Sequence, residues 1–271
     1  MSNLLIGGAG LVGSHVSKRI PSLVLDNFSR GDKRNIDCEF INASVMDDEL
    51  VDVLVQRSDC VFFFAAIPVL DCVRYEDEAR RTMLVGLWNV VKSCNKHRKR
   101  LIYSSSGSVY AESKKPVKET DLLFPATYYA DLKIRAEQFL EAESHNFVAL
   151  RYQSIYGKAY QKGYKAVIQK YLECKGKLPV YGDGSQSYDF IHVEDVADAN
   201  ILAMQYGRGF YNVCTGKTTS VLELAHMIGE PEFVEGTTNI SYMCGDPTKA
   251  EIELGFKATR NLQDYIKECA V

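Results

Sequence analysis

The sequence lacks a hydrophobic run long enough to cross a membrane. The longest run, Val61 to Leu70, is interrupted by Pro68, whereas a spanning helix needs about 20 apolar residues. The N-terminal segment also lacks a basic stretch followed by a signal-peptide core, because it begins almost at once with the strand-like Leu4-Leu5-Ile6. We therefore expect a cytoplasmic protein that is not inserted in a membrane.

An excess of positive charge and a clustered cysteine pattern are missing as well. The 32 lysines and arginines face 35 acidic residues, for a net charge of −3, which argues against binding to nucleic acid. We interpret the one basic run, Lys96 to Arg100, as a solvated helix end. The eight cysteines include no C-x-x-C pair, so neither a zinc ribbon nor a disulfide framework is indicated.

The sequence does contain an alternation of strand-like and helix-like segments. Its 271 residues are 46% apolar and 25% charged, which is ordinary for a folded domain. Strands are predicted at 4–6, 23–25, 61–66, 100–104, 148–152 and 210–213, and helices at 11–19, 48–56, 77–95, 129–143, 167–174 and 221–228. This order predicts an α/β fold with helices on both faces of a parallel sheet. Residues 190–193 and the helix after them are expected to return to that sheet.

A glycine-rich loop follows the first predicted strand. Gly7 to Gly13 satisfies G-x-G-x-x-G and opens a helix, whose free N–H groups and dipole favour a pyrophosphate. Asp26 ends the second strand 18 residues after Gly8, where a carboxylate accepts hydrogen bonds from ribose hydroxyls and repels a 2′-phosphate. The pattern predicts an NAD site, and the nearby Arg30 keeps NADP open as an alternative.

A tyrosine and a lysine lie one turn apart on a later predicted helix. Tyr129 and Lys133 are four residues apart, so their side chains point the same way, and the ammonium charge favours the phenolate. An earlier strand ends in Ser104-Ser105-Ser106, at the edge where open α/β sheets place their sites. A serine there can hydrogen-bond a substrate hydroxyl as it becomes a carbonyl. Tyr128 has no such partner, since Leu132 stands four residues after it.

With these motifs, the chain resembles the extended short-chain dehydrogenase/reductase family, in the NAD-dependent epimerase/dehydratase branch that acts on nucleotide sugars. The resemblance covers nearly the whole chain and rests on Gly7–Gly13, Leu25–Asn27, Tyr103–Ser106, Arg151–Gly157 and Gly182–Val196. It implies a Rossmann-type doubly wound parallel sheet with a small C-terminal substrate-binding α/β lobe. We expect residues 1–157, with 189–206, to form the NAD-binding domain, and 158–188 with 207–271 to form the substrate-binding domain.

The resemblance also implies roles for individual residues. The catalytic residues are Ser106, Tyr129 and Lys133. The NAD contacts are Gly7, Gly10, Leu11, Val12, Gly13, Asp26, Asn27, Ser29, Arg30, Asp47, Ala65, Ala66, Ser104, Tyr129 and Lys133. The substrate contacts are Ser106, Ser108, Ser154 and Tyr188. The resemblance implies no metal. It implies a homodimer that forms through helices 77–95 and 129–143.

Two positions after the catalytic serine separate the chemistries of the family. Sugar 4,6-dehydratases carry an Asp-Glu pair there and decarboxylases a glutamate, whereas this chain has Gly107 and Ser108. Without a carboxylate, neither chemistry has its acid–base group, and Ser108 resembles the 4-epimerases. The resemblance therefore implies a nucleotide-sugar 4-epimerase of the UDP-glucose/UDP-galactose type, acting through a 4-keto intermediate. A net NAD(P)-dependent oxidoreductase on a smaller sugar or hydroxy acid, and a non-catalytic cofactor sensor, are the alternatives.

The chain departs from the family pattern where a nucleotide diphosphate is held. The arginine that pairs with the diphosphate is replaced by Tyr188, which removes a bidentate phosphate contact. The loss of this arginine favours the oxidoreductase alternative, because a smaller substrate has no diphosphate to bind. The candidate replacements are Lys158, Lys162, Lys165 and Arg208, and their spacing does not choose among them.

Overall fold

The computed structural model of the chain describes residues 3–160, 167–174, 177–236 and 242–269. The strands are β1 (Asn3–Ile6), β2 (Ser22–Asp26), β3 (Phe40–Asn42), β4 (Cys60–Phe63), β5 (Arg100–Ser106), β6 (Phe147–Tyr152), β7 (Ser154–Tyr156), β8 (Leu178–Tyr181), β9 (Ser187–Tyr188), β10 (Phe190–His192), β11 (Gly209–Val213), β12 (Thr219–Ser220), β13 (Pro231–Val234) and β14 (Tyr242–Met243). Seven of them form a parallel sheet in the order β11-β6-β5-β4-β1-β2-β3. This order confirms the predicted Rossmann-type fold.

Helices cover both faces of the sheet. A π-helical turn, Arg81–Val85, joins α4 to α5, so the single helix expected over 77–95 is realised by three consecutive segments. The helices are α1 (Leu11–Ser17), α2 (Asp48–Arg57), α3 (Val69–Arg74), α4 (Glu76–Arg80), α5 (Gly86–His97), α6 (Tyr128–Glu143), α7 (Val167–Glu173), α8 (Val193–Ala203), α9 (Val221–Ile228), α10 (Thr248–Leu254) and α11 (Leu262–Cys269).

The sheet separates two hydrophobic cores. On one face α2, α5 and α6 bury residues such as Val51, Leu87 and Leu140 against the strands. On the other face α1, α8 and α10 bury residues such as Val16 and Val196. Strand β4 is apolar throughout because it contributes to both cores. Burial on both faces fixes the ends of these strands in place.

A small lobe packs around a third core. Helices α7, α9 and α11 bury Tyr171, Leu224 and Ile266 together with Leu178 of β8. Two short sheets complete it, β13-β8 and β12-β9-β14. These elements come from 167–188, 219–234, 242–243 and 262–269, whereas α10 packs in the core on the large sheet.

Two segments pair differently from expectation. Phe190–His192 does not join the large sheet, because it pairs with β7 in a separate two-stranded sheet; the helix after it, α8, does pack on the large sheet. Conversely, Gly209–Val213 lies within the range that we expected in the small lobe, yet it is the edge strand of the large sheet, paired with β6. Strand β3 was not predicted, since it is short and half-exposed.

Two absences apply to the residues that the structure describes. Within them, none of the helices has the length and apolar character needed to cross a membrane. The same residues contain no group of three or more His, Cys, Asp and Glu side chains that could hold a metal ion.

Candidate active site

A cleft of about 900 Å³ opens at the carboxyl ends of the central strands. It is bordered by Ile6 of β1, Asp26 of β2, Ser106 of β5 and Tyr152 of β6. It then continues into the small lobe, where Tyr188 and neighbouring side chains border it. This is the place where open α/β sheets bind their ligands, and its size suits a dinucleotide with a second ligand beside it.

The glycine loop leaves room for a phosphate beside helix α1. Gly7 has φ +75°, and a Cβ on it would lie 2.4 Å from the backbone nitrogen of Ala65. Gly13 packs on Gly8, where a Cβ would lie 2.6 Å from the Gly8 Cα atom. Gly7, Gly10 and Leu11 border the cleft, whereas Gly13 acts through packing of the helix on the loop. The loop therefore offers backbone N–H groups without side chains in front of them, which fits a dinucleotide pyrophosphate.

Asp26 is fixed at the end of β2 by the backbone of the glycine loop. Its carboxylate accepts hydrogen bonds from Ala9 N at 2.9 Å and from Phe28 N at 2.8 Å. A carboxylate at the end of the second strand of such a sheet is the group that accepts the ribose hydroxyls of a dinucleotide. Arg30 borders the cleft, and its guanidinium contacts the carboxylates of Asp71 and Glu78 at 3.1 and 3.3 Å. These two carboxylates compete with a 2′-phosphate for this guanidinium.

The other predicted NAD contacts divide into two groups. Asn27, Ser29, Ala65 and Ala66 border the cleft. Val12, Gly13, Asp47 and Ser104 are not among the described residues that border it. Asp47 instead caps helix α2, since its carboxylate accepts from Leu50 N at 3.1 Å. Residues 43–45, just before it in the chain, border the cleft in its place.

Tyr129 borders the cleft, whereas Lys133, also a predicted NAD contact, is buried next to it and is not among the described lining residues. Thr127 caps helix α6 by accepting a hydrogen bond from Ala130 N at 3.1 Å, which sets Tyr129 in the first turn. Lys133 Nζ lies 5.6 Å from the centre of the Tyr129 ring and donates to the backbone oxygen of Ser104 at 2.6 Å. The Ser104 backbone oxygen therefore positions the Lys133 ammonium, and Ser104 itself is not among the described residues that border the cleft.

Burial controls the charge of Lys133. The side chain is 1% exposed, and its desolvation lowers its pKa to about 8, although the nearby Glu137 carboxylate opposes this shift. A lysine with a pKa near neutrality can take part in proton movement as well as provide positive charge. The pair thus has the geometry and charge for a tyrosine base supported by a lysine.

Ser106 at the end of β5 and Ser108 in the turn after it form one wall of the cleft. Ser106 Oγ and Ser108 Oγ are 2.9 Å apart, and Ser106 Oγ also accepts from Ser108 N at 3.2 Å. Both residues border the cleft, as Tyr129 does. The turn Gly107–Val109 carries no carboxylate, so the described wall offers hydroxyl groups only.

A buried ion pair supports the catalytic helix from behind. Arg151 on β6 binds Glu137 on α6 through Nε at 3.0 Å and Nη2 at 2.6 Å, and both side chains are 3% exposed. Ser105 Oγ donates to the same carboxylate. Since Ser105 lies between Ser104 and Ser106, these contacts fix α6 against β5 at the level of Lys133.

The predicted substrate contacts border the cleft, but the two predicted phosphate ligands that the structure describes do not. Ser154 and Tyr188 line the cleft beside the small lobe. Arg208 lies next to the amino-terminal end of β11 and donates to the His145 oxygen at 3.1 Å, at the sheet edge away from the cleft. Lys158 is exposed and is not among the described lining residues, and Lys162 and Lys165 lie outside the described residues.

Several residues that line the cleft or hold its lining in place were not predicted from the sequence. Lys170 of α7 borders the substrate end of the cleft. Asn35 holds Tyr160 over the glycine loop, because its side chain donates to Ala9 O at 2.9 Å and accepts from Tyr160 N at 2.8 Å. Gln153 also borders the cleft. The helical pattern of α7 could have indicated Lys170, whereas the long-range contacts of Asn35 carry no local signal.

Comparison with known proteins identifies what this site resembles. The model of the NAD dependent epimerase/dehydratase family matches residues 3–214. A putative UDP-glucose 4-epimerase of Methanocaldococcus jannaschii is 31% identical, over 97% of this chain and 95% of that protein. Among solved structures, UDP-glucose 4-epimerase of Thermotoga maritima with UDP-glucose has a TM-score of 0.90 and 28% identity, over 98% of this chain and 96% of that one. UDP-N-acetylglucosamine 4-epimerase of Methanobrevibacter ruminantium, in complex with UDP-N-acetylmuramic acid, has a TM-score of 0.90 and 26% identity, over 99% and 96%.

Proposed function

The chain belongs to the NAD-dependent epimerase/dehydratase family, and from that premise we propose that it interconverts UDP-hexoses that differ in configuration at C4. It is an NAD-dependent enzyme of this family. The observation that carries the proposal is that Tyr129, with Lys133 beside it, borders the same cleft as the Ser106–Ser108 wall, which has hydroxyls but no carboxylate.

The chain's own residues perform proton transfer and orientation in the proposed mechanism. The Lys133 ammonium stabilises the phenolate form of Tyr129, and this phenolate takes the proton of the sugar 4-hydroxyl and becomes a neutral phenol. Ser106 hydrogen-bonds the same oxygen while it becomes a carbonyl oxygen. Bound NAD supplies the hydride acceptor, and afterwards the hydride donor, at C4. After the keto sugar turns over, Tyr129 returns the proton, so neither NAD nor protons are consumed.

The absence of a carboxylate beside Ser106 disfavours the other reactions of the family. Dehydration needs an acid and a base at C5 and C6 of the sugar, and the described wall offers Gly107 and Ser108 at those positions. Epimerisation at C4 needs only one proton acceptor, which Tyr129 provides. The wall therefore favours an isomerase.

The charge arrangement at the adenosine end supports NAD as the cofactor, in agreement with the family. Asp26 presents a negative charge where NADP would carry its 2′-phosphate. Arg30 is held by Asp71 and Glu78, which reduces its attraction for that phosphate. We expect binding of NAD to be at least tenfold tighter than that of NADP.

We propose that the uridine diphosphate lies between the large sheet and the small lobe. Lys170 is the cation that borders the substrate end of the described cleft, and phosphate binding by a lysine is ordinary chemistry. Lys170→Met should weaken inhibition by UDP, and Arg208→Met, at the opposite sheet edge, provides the matched control. Equal inhibition constants for the two variants would remove Lys170 from the proposal.

A product assay tests the proposed reaction. The protein with substoichiometric NAD is incubated with UDP-glucose, UDP-N-acetylglucosamine and their GDP and dTDP counterparts, and the sugars are separated by chromatography. The proposal predicts many C4-inverted product molecules per NAD with at least one UDP-hexose. Absence of product with every UDP-hexose would overturn it.

A net oxidoreductase on a smaller sugar or hydroxy acid is the second candidate. It is favoured by Tyr188, a phenol at the position of the family's diphosphate-binding arginine. The two candidates differ in stoichiometry, because an oxidoreductase accumulates one NADH per product. Absorbance at the NADH band during the same assay separates them.

We also propose a homodimer that forms through α5 and α6. Trp88 is 53% exposed and packs on Phe139 of α6 with ring centroids 5.3 Å apart. Leu84 and Val85 extend this apolar groove along the same helix pair. Two copies would bury the groove as a four-helix interface. Light scattering of wild type and Trp88→Glu tests it.

A further inference from the structure

Residues 158–160 run alongside the amino-terminal half of helix α1 and belong to no helix or strand. His15 in the second turn of α1 has its Nε2 atom 3.0 Å from Lys158 O. Two residues later, Asn35 holds Tyr160 on both sides of its backbone. The Asn35 side chain accepts from Tyr160 N and donates to Tyr160 O, each at 2.8 Å. The segment is therefore fixed at both of its ends, close to the start of α1.

Asn35 also ties this segment to the glycine loop. Its side chain is 4% exposed, and Nδ2 donates to Ala9 O at 2.9 Å. The backbone N–H of Ala9 donates to the Asp26 carboxylate, also at 2.9 Å. An irregular surface segment that lacks such contacts opens readily. We infer that the contacts of Asn35 keep Tyr160 next to the loop where the pyrophosphate is expected.

The Tyr160 ring lies at the pyrophosphate end of the cleft. The residue is 54% exposed and borders the cleft together with Gly10 and Leu11, where the free N–H groups of α1 face the ligand. The Arg34 guanidinium lies 4.0 Å from the centre of the ring, and Asp32 holds this guanidinium at 2.7 Å. A cation at this distance is attracted to the ring and orients it. Tyr160 therefore offers an oriented and exposed aromatic surface at this end of the cleft.

We propose that Tyr160, positioned by Asn35, covers bound NAD at the glycine loop and slows its dissociation. Water-exposed apolar surface is unfavourable, and a dinucleotide in the cleft would shield the ring from water. The proposed reaction needs the same cofactor for both hydride transfers, so a cover at this point would keep it in the site between them. The inference concerns the cofactor that the family uses, and it does not depend on which sugar is converted.

Tyr160→Ala tests the cover, because it removes the ring and keeps the backbone groups that bind Asn35. The protein is loaded with radiolabelled NAD and chased with unlabelled NAD, and the bound label is followed by rapid filtration. We expect the label to dissociate about tenfold faster than from wild type, as for the loss of one aromatic contact. Tyr160→Phe keeps the ring and should release the label at the wild-type rate.

Tyr206→Ala is the matched control. Tyr206 is 50% exposed, similar to Tyr160, and is not among the described residues that border the cleft. This variant should release NAD at the wild-type rate. The thermal midpoint of cofactor-free Tyr160→Ala should also equal that of wild type, since the removed ring is largely exposed. A lower midpoint with an unchanged release rate would indicate a purely structural role for Tyr160 and overturn the proposal.

Asn35→Ala tests the positioning role. It removes the contacts that hold Tyr160 and should also speed the release of NAD. In the double variant with Tyr160→Ala, the two effects should be less than multiplicative, because Asn35 acts through Tyr160. The proposal is overturned if Tyr160→Ala releases NAD at the wild-type rate, if Tyr160→Phe releases it as fast as Tyr160→Ala, or if the two effects multiply fully. Because no sugar is present, failure of the proposed reaction would leave this test unaffected.

Discussion

Lys133 Nζ donates a hydrogen bond to the backbone oxygen of Ser104 across 2.6 Å, and this contact joins the catalytic helix to the end of β5. Because a backbone carbonyl carries no full charge, it orients the ammonium without neutralising it. Lys133 therefore keeps its positive charge for Tyr129, at the cost of desolvation. The catalytic pair depends on a lysine that the fold holds in an unfavourable environment.

The buried lysine should make stability rise with pH in a defined range. Burial lowers the pKa of Lys133 from 10.5 to about 8, so the unfolded chain binds more protons than the folded one between these values. The penalty is fully present below pH 8 and is lifted as pH rises toward 10.5. The unfolding free energy of the cofactor-free protein, minus that of Lys133→Met, should increase by about 3 kcal/mol over this range. A flat difference in urea titrations would show that Lys133 is not desolvated as described.

Removing only one charge of the Glu137–Arg151 pair should destabilise the fold more than removing both charges. Arg151→Met leaves the Glu137 carboxylate buried at 3% exposure and should cost about 3–5 kcal/mol of unfolding free energy. Glu137→Leu combined with Arg151→Met removes both charges and should cost less than Arg151→Met alone. Urea denaturation of the single and double variants measures this, and strictly additive losses would contradict the coupling.

Gly7 should be indispensable for the cofactor site. Gly7→Ala forces a side chain into φ +75° and against the Ala65 backbone at 2.4 Å, so we expect NAD affinity to fall more than tenfold in calorimetric titration. Gly255→Ala is the matched control, since Gly255 has φ +68° but nothing within 4 Å of its Cβ position. The control should lose about 1 kcal/mol of stability and bind NAD normally. Equal NAD affinities of the two variants would exclude the steric explanation.

Tyr129 should be essential and its neighbour dispensable. Tyr129→Phe removes the proton acceptor and should lower kcat about 10²- to 10⁴-fold with little change in NAD binding. Tyr128→Phe removes a phenol one position earlier, where no lysine follows four residues later, and should retain near wild-type kcat. Full activity of Tyr129→Phe would refute the assignment of the base.

Local sequence motifs predicted the cofactor loop and the catalytic pair, because their chemistry depends on short spacings. The pairing of Phe190–His192 with β7 and of Gly209–Val213 with β6 could not be predicted in this way, since it depends on contacts between distant parts of the chain. Asp47 was assigned to NAD, but a carboxylate before a helix satisfies a helix cap equally well.

The central claim, transient oxidation at C4 with return of the same hydride, is tested most directly with UDP-glucose that carries deuterium at C4. The protein is incubated with this substrate and bound NAD in ordinary water, and the isolated product is analysed by NMR and mass spectrometry. The account predicts a C4-inverted product that retains the deuterium at C4. A product that has exchanged this deuterium for solvent hydrogen would contradict the account.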